Sequence, residues 1–203
     1  MKLYWSPRSP FVRKVMVLAH ETGLADKIQK IPTPVAMTQP HRELMRHNPV
    51  GKIPTLITDA GDALYDSTVI CEYLDGLHGG ERRFPAAGAR RWQVLRRHSL
   101  GNNLLDILVL WRNERLRPAA QQSPEWAETF TVKTQATLDA LEADTDAVNG
   151  PFLIDQITLG CTLGYLDFRF AELAWRARHP SLAAWYTQFM QRASARHTMP
   201  VDE

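Results

Sequence analysis

Three short runs in the first 74 residues carry side chains whose types and order suit a pocket for a small peptide. Ser9-Pro10-Phe11-Val12-Arg13-Lys14 puts a hydroxyl at the mouth of a helix. Val50-Gly51-Lys52-Ile53-Pro54-Thr55-Leu56 offers strand backbone beside a proline expected in the cis form. Asp66-Ser67-Thr68-Val69-Ile70-Cys71-Glu72-Tyr73-Leu74 places a carboxylate and a hydroxyl at a second helix start. A helix N-terminus gathers unpaired N–H groups and partial positive charge, so a hydroxyl there helps to hold an anion. A proline at a strand entrance cannot donate to a ladder, which restricts pairing there. Each run alone also has a plain reading, as a helix cap, an edge turn and another cap. Their order along the chain is what points to a site.

The elements that must position these runs are legible in the same stretch. Lys2 to Trp5 is short and apolar and reads as a strand. Phe11, Val15, Leu18 and Thr22 recur at helical spacing, with Ser9 at the N-cap, Pro10 at the first helical position and Gly23 as the stop. Lys27 to Pro32 reads as a second strand, and Thr38 to Asn48 as a short amphipathic helix ending before Pro49. Ile53 to Thr58 and Ala63 to Tyr65 flank the turn Asp59-Ala60-Gly61-Asp62 as a hairpin. Asp66 or Ser67 then caps a helix with Val69, Ile70, Tyr73 and Leu74 on its apolar side. The order βαβαββα gives a mixed sheet covered by helices.

Gly76 to Gly88, with its glycines before Arg82-Arg83-Phe84-Pro85, reads as a linker. Beyond it the strand signal disappears. Ala89 to Arg117 is one long helix, and Leu104-Leu105-Asp106-Ile107-Leu108-Val109-Leu110-Trp111 is apolar on most sides, as expected of a helix buried both in its own domain and against a second subunit. Ser123-Pro124-Glu125 opens another helix with Phe130, Thr134, Leu138 and Leu141 on one face. Thr158 to Trp175 reads as a central buried helix, and Leu182, Trp185, Tyr186, Phe189 and Met190 keep helical spacing after Pro180-Ser181. The expected division is an α/β domain over 1–76, a linker over 77–87 and an all-helical domain over 88–203.

Composition narrows the function classes. With 203 residues, 44% of them hydrophobic and 23% charged, the chain can bury a core in one large or two small domains. A formal charge of +2, with basic residues mostly interspersed with acidic ones, argues against a nucleic-acid face. No apolar run approaches the roughly 20 residues of a membrane span, and Met1-Lys2-Leu3-Tyr4-Trp5-Ser6 lacks a signal-peptide core, so the expected address is the cytoplasm. Cys71 and Cys161 each fall inside an expected helix and read as small core residues, with no disulfide framework or zinc site.

These features together resemble the cytosolic glutathione transferases. The specific parts are Asn48-Pro49-x-Gly51-Lys52-Ile53-Pro54-x-Leu56 and Asp66-Ser67-x-x-Ile70-x-Glu72-Tyr73-Leu74. Ser-Pro-Phe-Val-Arg-Lys looks most like the serine-type, bacterial-like members. The helical half matches in layout. The resemblance implies a thioredoxin-like first domain, an all-α second domain, glutathione as co-substrate and a homodimer. One departure lies at the start of the central helix of the second domain, where many members carry a serine or threonine and an aspartate as a capping box. Here the chain reads Leu153-Ile154-Asp155-Gln156-Ile157-Thr158, and Asp155 is expected to cap instead. A second is that serine stands where oxidoreductase-like members carry cysteine, which argues against disulfide exchange through a protein thiol.

Glutathione reacts as a thiolate, while a free thiol with a pKa near ~8.5 is mostly protonated at neutral pH. Lowering that value by about two units takes about 2.7 kcal/mol, within reach of one or two charge-assisted hydrogen bonds. The resemblance assigns the donor role to Ser9, with Ser6 and Tyr4 as competing hydroxyls. It gives the Ile53 N–H and C=O, beside a cis Pro54, to the cysteinyl backbone of the peptide. Asp66 takes the γ-glutamyl ammonium, Ser67 and its helix start take the γ-glutamyl carboxylate, and Lys52 takes the glycyl carboxylate. His41 and Gln39 are further candidates at the glycyl end. Trp111, Asp106, Asn103 and Asn102 are candidates on the long helix, and Arg8 stands beside the serine as a residue that favours anionic substrates or is simply exposed.

The implied activity is transfer of the glutathione thiolate to small, largely apolar electrophiles. Two other readings stay open at this point. One is a glutathione-dependent isomerase or dehalogenase, in which glutathione is regenerated. The other is a non-catalytic binding protein that keeps the fold.

Overall fold

Leu3 and Tyr4, adjacent on the first strand and therefore pointing to opposite faces, are both buried, so the sheet they belong to is covered on both sides. That strand, β1 (Lys2–Trp5), pairs parallel with β2 (Gln29–Pro32) and antiparallel with β3 (Thr55–Ile57); β3 pairs antiparallel with β4 (Ala63–Leu64). The sheet order is β2-β1-β3-β4. In the computed structural model, which describes residues 1–202, three helices complete this unit's βαβαββα order: α1 (Pro10–Glu21), α2 (Arg42–Met45) and α3 (Ser67–Asp75). The fold expected from the sequence, a thioredoxin-like α/β part followed by helices only, is the fold found.

α1 is buried continuously from Val12 to Ala19, so its own amphipathicity does not set its place; the sheet and its helical neighbours enclose it. Ser9 caps it, Pro10 opens it, and it ends at Gly23, whose φ of 70° is the left-handed stop that glycine supplies without a Cβ clash. α2 is much shorter than the expected 38–48 helix. Pro40 has no N–H to give a longer helix, and at the far end the Asn48 side chain turns the chain instead of continuing it, accepting from Val50 N at 3.2 Å. His41 caps α2, its Nδ1 accepting from Leu44 N at 3.2 Å.

The chain divides into two compact units: residues 1–84 with the segment from Ala193 onward, and Pro85–Arg192. This differs from the expected division at both boundaries, for visible reasons. The buried Asp75 carboxylate accepts from Arg83 N at 2.8 Å and Phe84 N at 3.0 Å and meets His78 Nε2 at 3.1 Å, which ties the glycine-rich segment to the first unit. At the other end α9 (Ala193–His197) packs on α1: Arg13 Nη2 donates to Ala195 O at 3.3 Å and Ser194 Oγ donates to Glu21 Oε1 at 2.5 Å.

The second unit contains α4 (Gly88–Arg115), α5 (Pro124–Ala143), α6 (Thr145–Asn149), α7 (Ile154–Arg169) and α8 (Pro180–Phe189). Phe130, Thr134, Leu138 and Leu141 are buried on α5 as their spacing requires. α7 is buried from Ile154 through Leu166 and packs closely on α4, where a Cβ on Gly101 would stand 3.1 Å from Thr158 Cγ2. It starts earlier and stops sooner than the expected 158–175 helix, and Ala174 with φ 45° turns the chain beyond it. Leu153, not Asp155, is the N-cap residue. Asp155 sits inside the first turn, accepting from Gln156 N at 3.0 Å and from Arg97 Nε at 2.8 Å in a buried ion pair; burial pushes its carboxyl above the ordinary carboxylate range, against the pull of Arg97.

On α4, Leu104, Leu105, Leu108 and Trp111 are buried, whereas Leu110 is exposed and Ile107 and Val109 are half-buried. Within this chain the helix is therefore covered along one side. Cys71 and Cys161 are buried, and neither is joined in a disulfide. Among the described residues no helix is long and apolar enough to cross a membrane.

Candidate functional site

Strand direction alone gathers the three runs at one end of the sheet. β1 leaves the sheet at Trp5 toward Ser9. β3, antiparallel to it, enters at Thr55 opposite Tyr4, so Ile53 and Pro54 lie at the same end. β4, antiparallel to β3, pairs Leu64 with Leu56 and runs out toward Asp66 and Ser67 at that end again.

Ser9 is half-buried, with φ −84° and ψ 119°, the extended conformation that lets a side chain turn back onto its helix. Its Oγ accepts from Val12 N at 3.3 Å, while its proton has no acceptor among the described residues. Pro10 has no N–H, and the Phe11 N–H is unengaged. The mouth of α1 thus offers a hydroxyl donor, an amide donor and the positive end of a twelve-residue helix. The competing hydroxyls stand in more buried surroundings. Ser6 is buried and shapes the loop, its C=O accepting from Ser9 N at 3.2 Å and its Oγ from Arg8 N at 3.4 Å. Tyr4 is buried, and burial together with the nearby Glu43 pushes its hydroxyl above the usual tyrosine range, so its proton is held rather than released.

The Ile53–Pro54 bond is cis, as the sequence suggested. Ile53 precedes the ladder, and both its N–H and its C=O lack partners among the described residues. An unused donor and acceptor on one residue, next to a strand, are what an extended peptide needs to add itself as a short strand. Asn48, whose side-chain work was not foreseen, holds this turn. Its Nδ2 donates to Lys52 O at 3.1 Å and to Thr55 Oγ1 at 3.0 Å, and Thr55 Oγ1 donates to Lys52 O at 2.9 Å. Gly51, with φ 66°, makes the reversal between them. The signal was present as Asn-Pro-x-Gly, two turn-forming residues around a proline. Lys52 itself is exposed and, among the described residues, forms no ion pair.

Asp66 is the N-cap of α3, its Oδ1 accepting from Thr68 N at 2.9 Å, and its residue is exposed. Ser67 is 1% exposed, yet neither its hydroxyl nor its N–H has a partner among the described residues. Both donors are therefore available to a ligand acceptor. Carboxylate and donors stand side by side, the pairing suited to an amino acid's ammonium and carboxylate.

The remaining candidates make contacts of their own. His41 spends its Nδ1 on the α2 cap, and Gln39 closes an isolated bridge with Ala36. Trp111 is core, its ring centroid 4.8 Å from that of Phe170 and 6.1 Å from that of Phe130. The Asn103 amide is turned onto its own helix, donating to Ser99 O at 2.9 Å.

Residues 8–77 match the family model for the glutathione S-transferase N-terminal domain, and 124–188 that for the glutathione S-transferase C-terminal domain. The uncharacterised GST-like protein YibF of Escherichia coli K12 is 30% identical over 208 residues, covering 98% of each chain. A glutathione transferase family member from Pseudomonas fluorescens Pf-5, crystallised with bound glutathione, is 41% identical with a TM-score of 0.96, covering 99% of each chain. A glutathione S-transferase from Methylobacillus flagellatus KT, crystallised with glutathione, is 35% identical with a TM-score of 0.88, covering 98% of this chain and 99% of its own.

Proposed function

The chain belongs to the glutathione S-transferase family, and on that premise we propose that it transfers the thiolate of glutathione to small, largely apolar electrophiles. The observation that carries this reading is the unused backbone of Ile53 beside the cis Pro54, at the same sheet end as the free proton of Ser9 and the unpaired donors of Ser67. In this reading Ile53 pairs with the cysteinyl residue, whose sulfur then meets the mouth of α1. Ser9 and the Phe11 N–H donate to the thiolate. Ser67 and the start of α3 hold the γ-glutamyl carboxylate, Asp66 its ammonium and Lys52 the glycyl carboxylate. Two relatives that cover essentially the whole chain were crystallised with glutathione, which supports the same ligand here.

The reaction is a substitution or a conjugate addition. Sulfur bonds to the electrophilic carbon; a leaving group departs with its electron pair, or the pair of an activated alkene moves to the neighbouring carbon, which takes a proton from water. Serine's own pKa is far too high for it to act as base, so Ser9 lowers the thiol's pKa and the thiol proton goes to solvent. We place the protein in the cytoplasm as a homodimer, with the exposed Leu110 and half-buried Ile107 and Val109 of α4 as the apolar face a second copy would cover.

Calorimetric titration with glutathione and with S-hexylglutathione tests the reading. Binding of both, tighter for the alkylated form, supports the thiol-peptide site with an apolar neighbour. Binding of neither at several millimolar overturns it and leaves a folded relative without the co-substrate. Mass spectrometry of the products then separates conjugation from isomerisation or dehalogenation, because only conjugation leaves glutathione in an adduct.

A further inference from the structure

Glutathione brings two carboxylates, one ammonium and a reactive sulfur, and the residues above meet each of them once. A cation beside the proposed thiolate donor is not used by that reading. Arg8 immediately precedes Ser9 in the loop between β1 and α1, with its backbone N–H fixed on Ser6 Oγ at 3.4 Å. It is half-buried, and among the described residues its guanidinium has no hydrogen bond, ion pair or ring contact.

The stem of Arg8 is partly covered by the protein while its charged end meets no protein acceptor. Lys2, Lys27, Lys30, Arg42, Arg46 and Lys52 of this unit are exposed. Elsewhere in the unit, cations near carboxylates use them: the N-terminus meets Asp59 Oδ1 at 2.6 Å, and Arg83 stands 3.9 Å from Glu21. Arg8 differs in being half-buried and unpaired among the described residues, one residue from the proposed thiolate donor. Arginine's planar fork suits a carboxylate, which it holds through two parallel hydrogen bonds.

We propose that Arg8 is a specificity-determining residue that receives the carboxylate of an anionic electrophile, so that the preferred second substrates are small molecules with an apolar body and a carboxylate end. The inference rests on the glutathione reading above and names the substrate class of that same site. Holding the far end of the electrophile orients its reactive carbon toward the sulfur, and the neutral analogue of the same shape leaves Arg8 unpaired, which is the source of the discrimination.

Binding of a matched pair of product analogues tests this without depending on turnover. The full-length protein is titrated with S-(4-carboxybenzyl)glutathione and S-(4-carbamoylbenzyl)glutathione, which differ in one charged group, and with S-hexylglutathione. The carboxylate form binds about tenfold tighter than the amide in the wild type, in Arg8→Lys the preference shrinks, and in Arg8→Gln the two affinities come within about twofold. A structural role for Arg8 would weaken both ligands together and leave their ratio unchanged. Wild-type protein that binds S-hexylglutathione yet shows no preference, or a preference that survives Arg8→Gln, overturns the assignment of Arg8 alone. Protein that binds none of the three overturns the glutathione reading, and this inference with it.

Discussion

The buried amide of Asn48 donates to Thr55 Oγ1 at 3.0 Å, seven residues away across the turn that presents Ile53. Through this one bond the first residue of β3 and the end of the α2 segment are held in a fixed relation. Both Asn48 and Thr55 are almost completely buried, and together they satisfy the Lys52 carbonyl. The free peptide groups of Ile53 are therefore kept in place by the side chains of Asn48 and Thr55.

Replacing Asn48 with alanine leaves the Lys52 carbonyl and the Val50 N–H each one partner short and removes a partner of Thr55. Losing these hydrogen bonds costs about 1–3 kcal/mol of unfolding free energy, so Asn48→Ala moves the urea midpoint to lower concentration. Glutathione binding weakens as well, since the Ile53 turn loses its brace. Titration calorimetry on the folded variant checks it; unchanged affinity would mean that the turn holds its shape without Asn48.

Ser9→Ala separates two roles of one oxygen. Losing the acceptor for Val12 N removes a helix cap, at about 0.5–2 kcal/mol of stability. Losing the donor removes the hydrogen bond proposed above to the thiolate. The conjugation rate falls tenfold or more while glutathione binding largely survives, and the pH–rate profile moves to higher pH. Ser9→Asn, which retains a capping oxygen, recovers stability without restoring the rate. Stopped-flow thiolate absorbance across a pH series reads the change directly.

Ser67→Ala deletes a hydroxyl that has no partner among the described residues. In the free protein the change is close to neutral in stability, because no hydrogen bond is lost. Glutathione affinity falls about tenfold, the loss expected for one hydrogen bond to a charged carboxylate. Asp66→Ala costs affinity and also the α3 cap on Thr68 N, so its unfolding midpoint falls while that of Ser67→Ala does not. Paired calorimetry and thermal unfolding distinguish the two.

The sequence revealed what depends on local chemistry. Ser9, Pro10 and Gly23 mark both ends of α1 through backbone geometry that each residue type carries with it. Pro54 announced its own turn. Less legible was whatever rests on contacts made across the chain. The buried Asp75 carboxylate gathers the backbone of Arg83 and Phe84, so a glycine-rich segment that reads as a linker is tied down. α9 returns to α1 through Arg13, Glu21 and Ser194, and no periodicity near residue 193 signals this. Likewise Asp155 looked like a cap by spacing, but its partner Arg97 is 58 positions away and draws it into the core.

The docking of α9 on α1 carries a pH dependence of its own. The rings of His20 and His197 lie 5.5 Å apart between centroids. Burial, then the neighbouring His197 and Lys30, hold the His20 pKa below the ordinary value, while Asp26 and Glu21 pull the other way. In the unfolded chain His20 titrates near about 6.5, so below that pH the unfolded state takes up a proton that the folded state resists. The stabilising contribution is complete above pH of about 6.5 and is lost as pH falls through the lower, folded value. Unfolding midpoints measured from pH 8 to pH 5 should decline more steeply for the wild type than for His20→Gln, which cannot take up that proton. Hydrogen exchange of the 193–197 amides should quicken over the same interval in the wild type; equal slopes for the two proteins would place the acid sensitivity elsewhere in the fold.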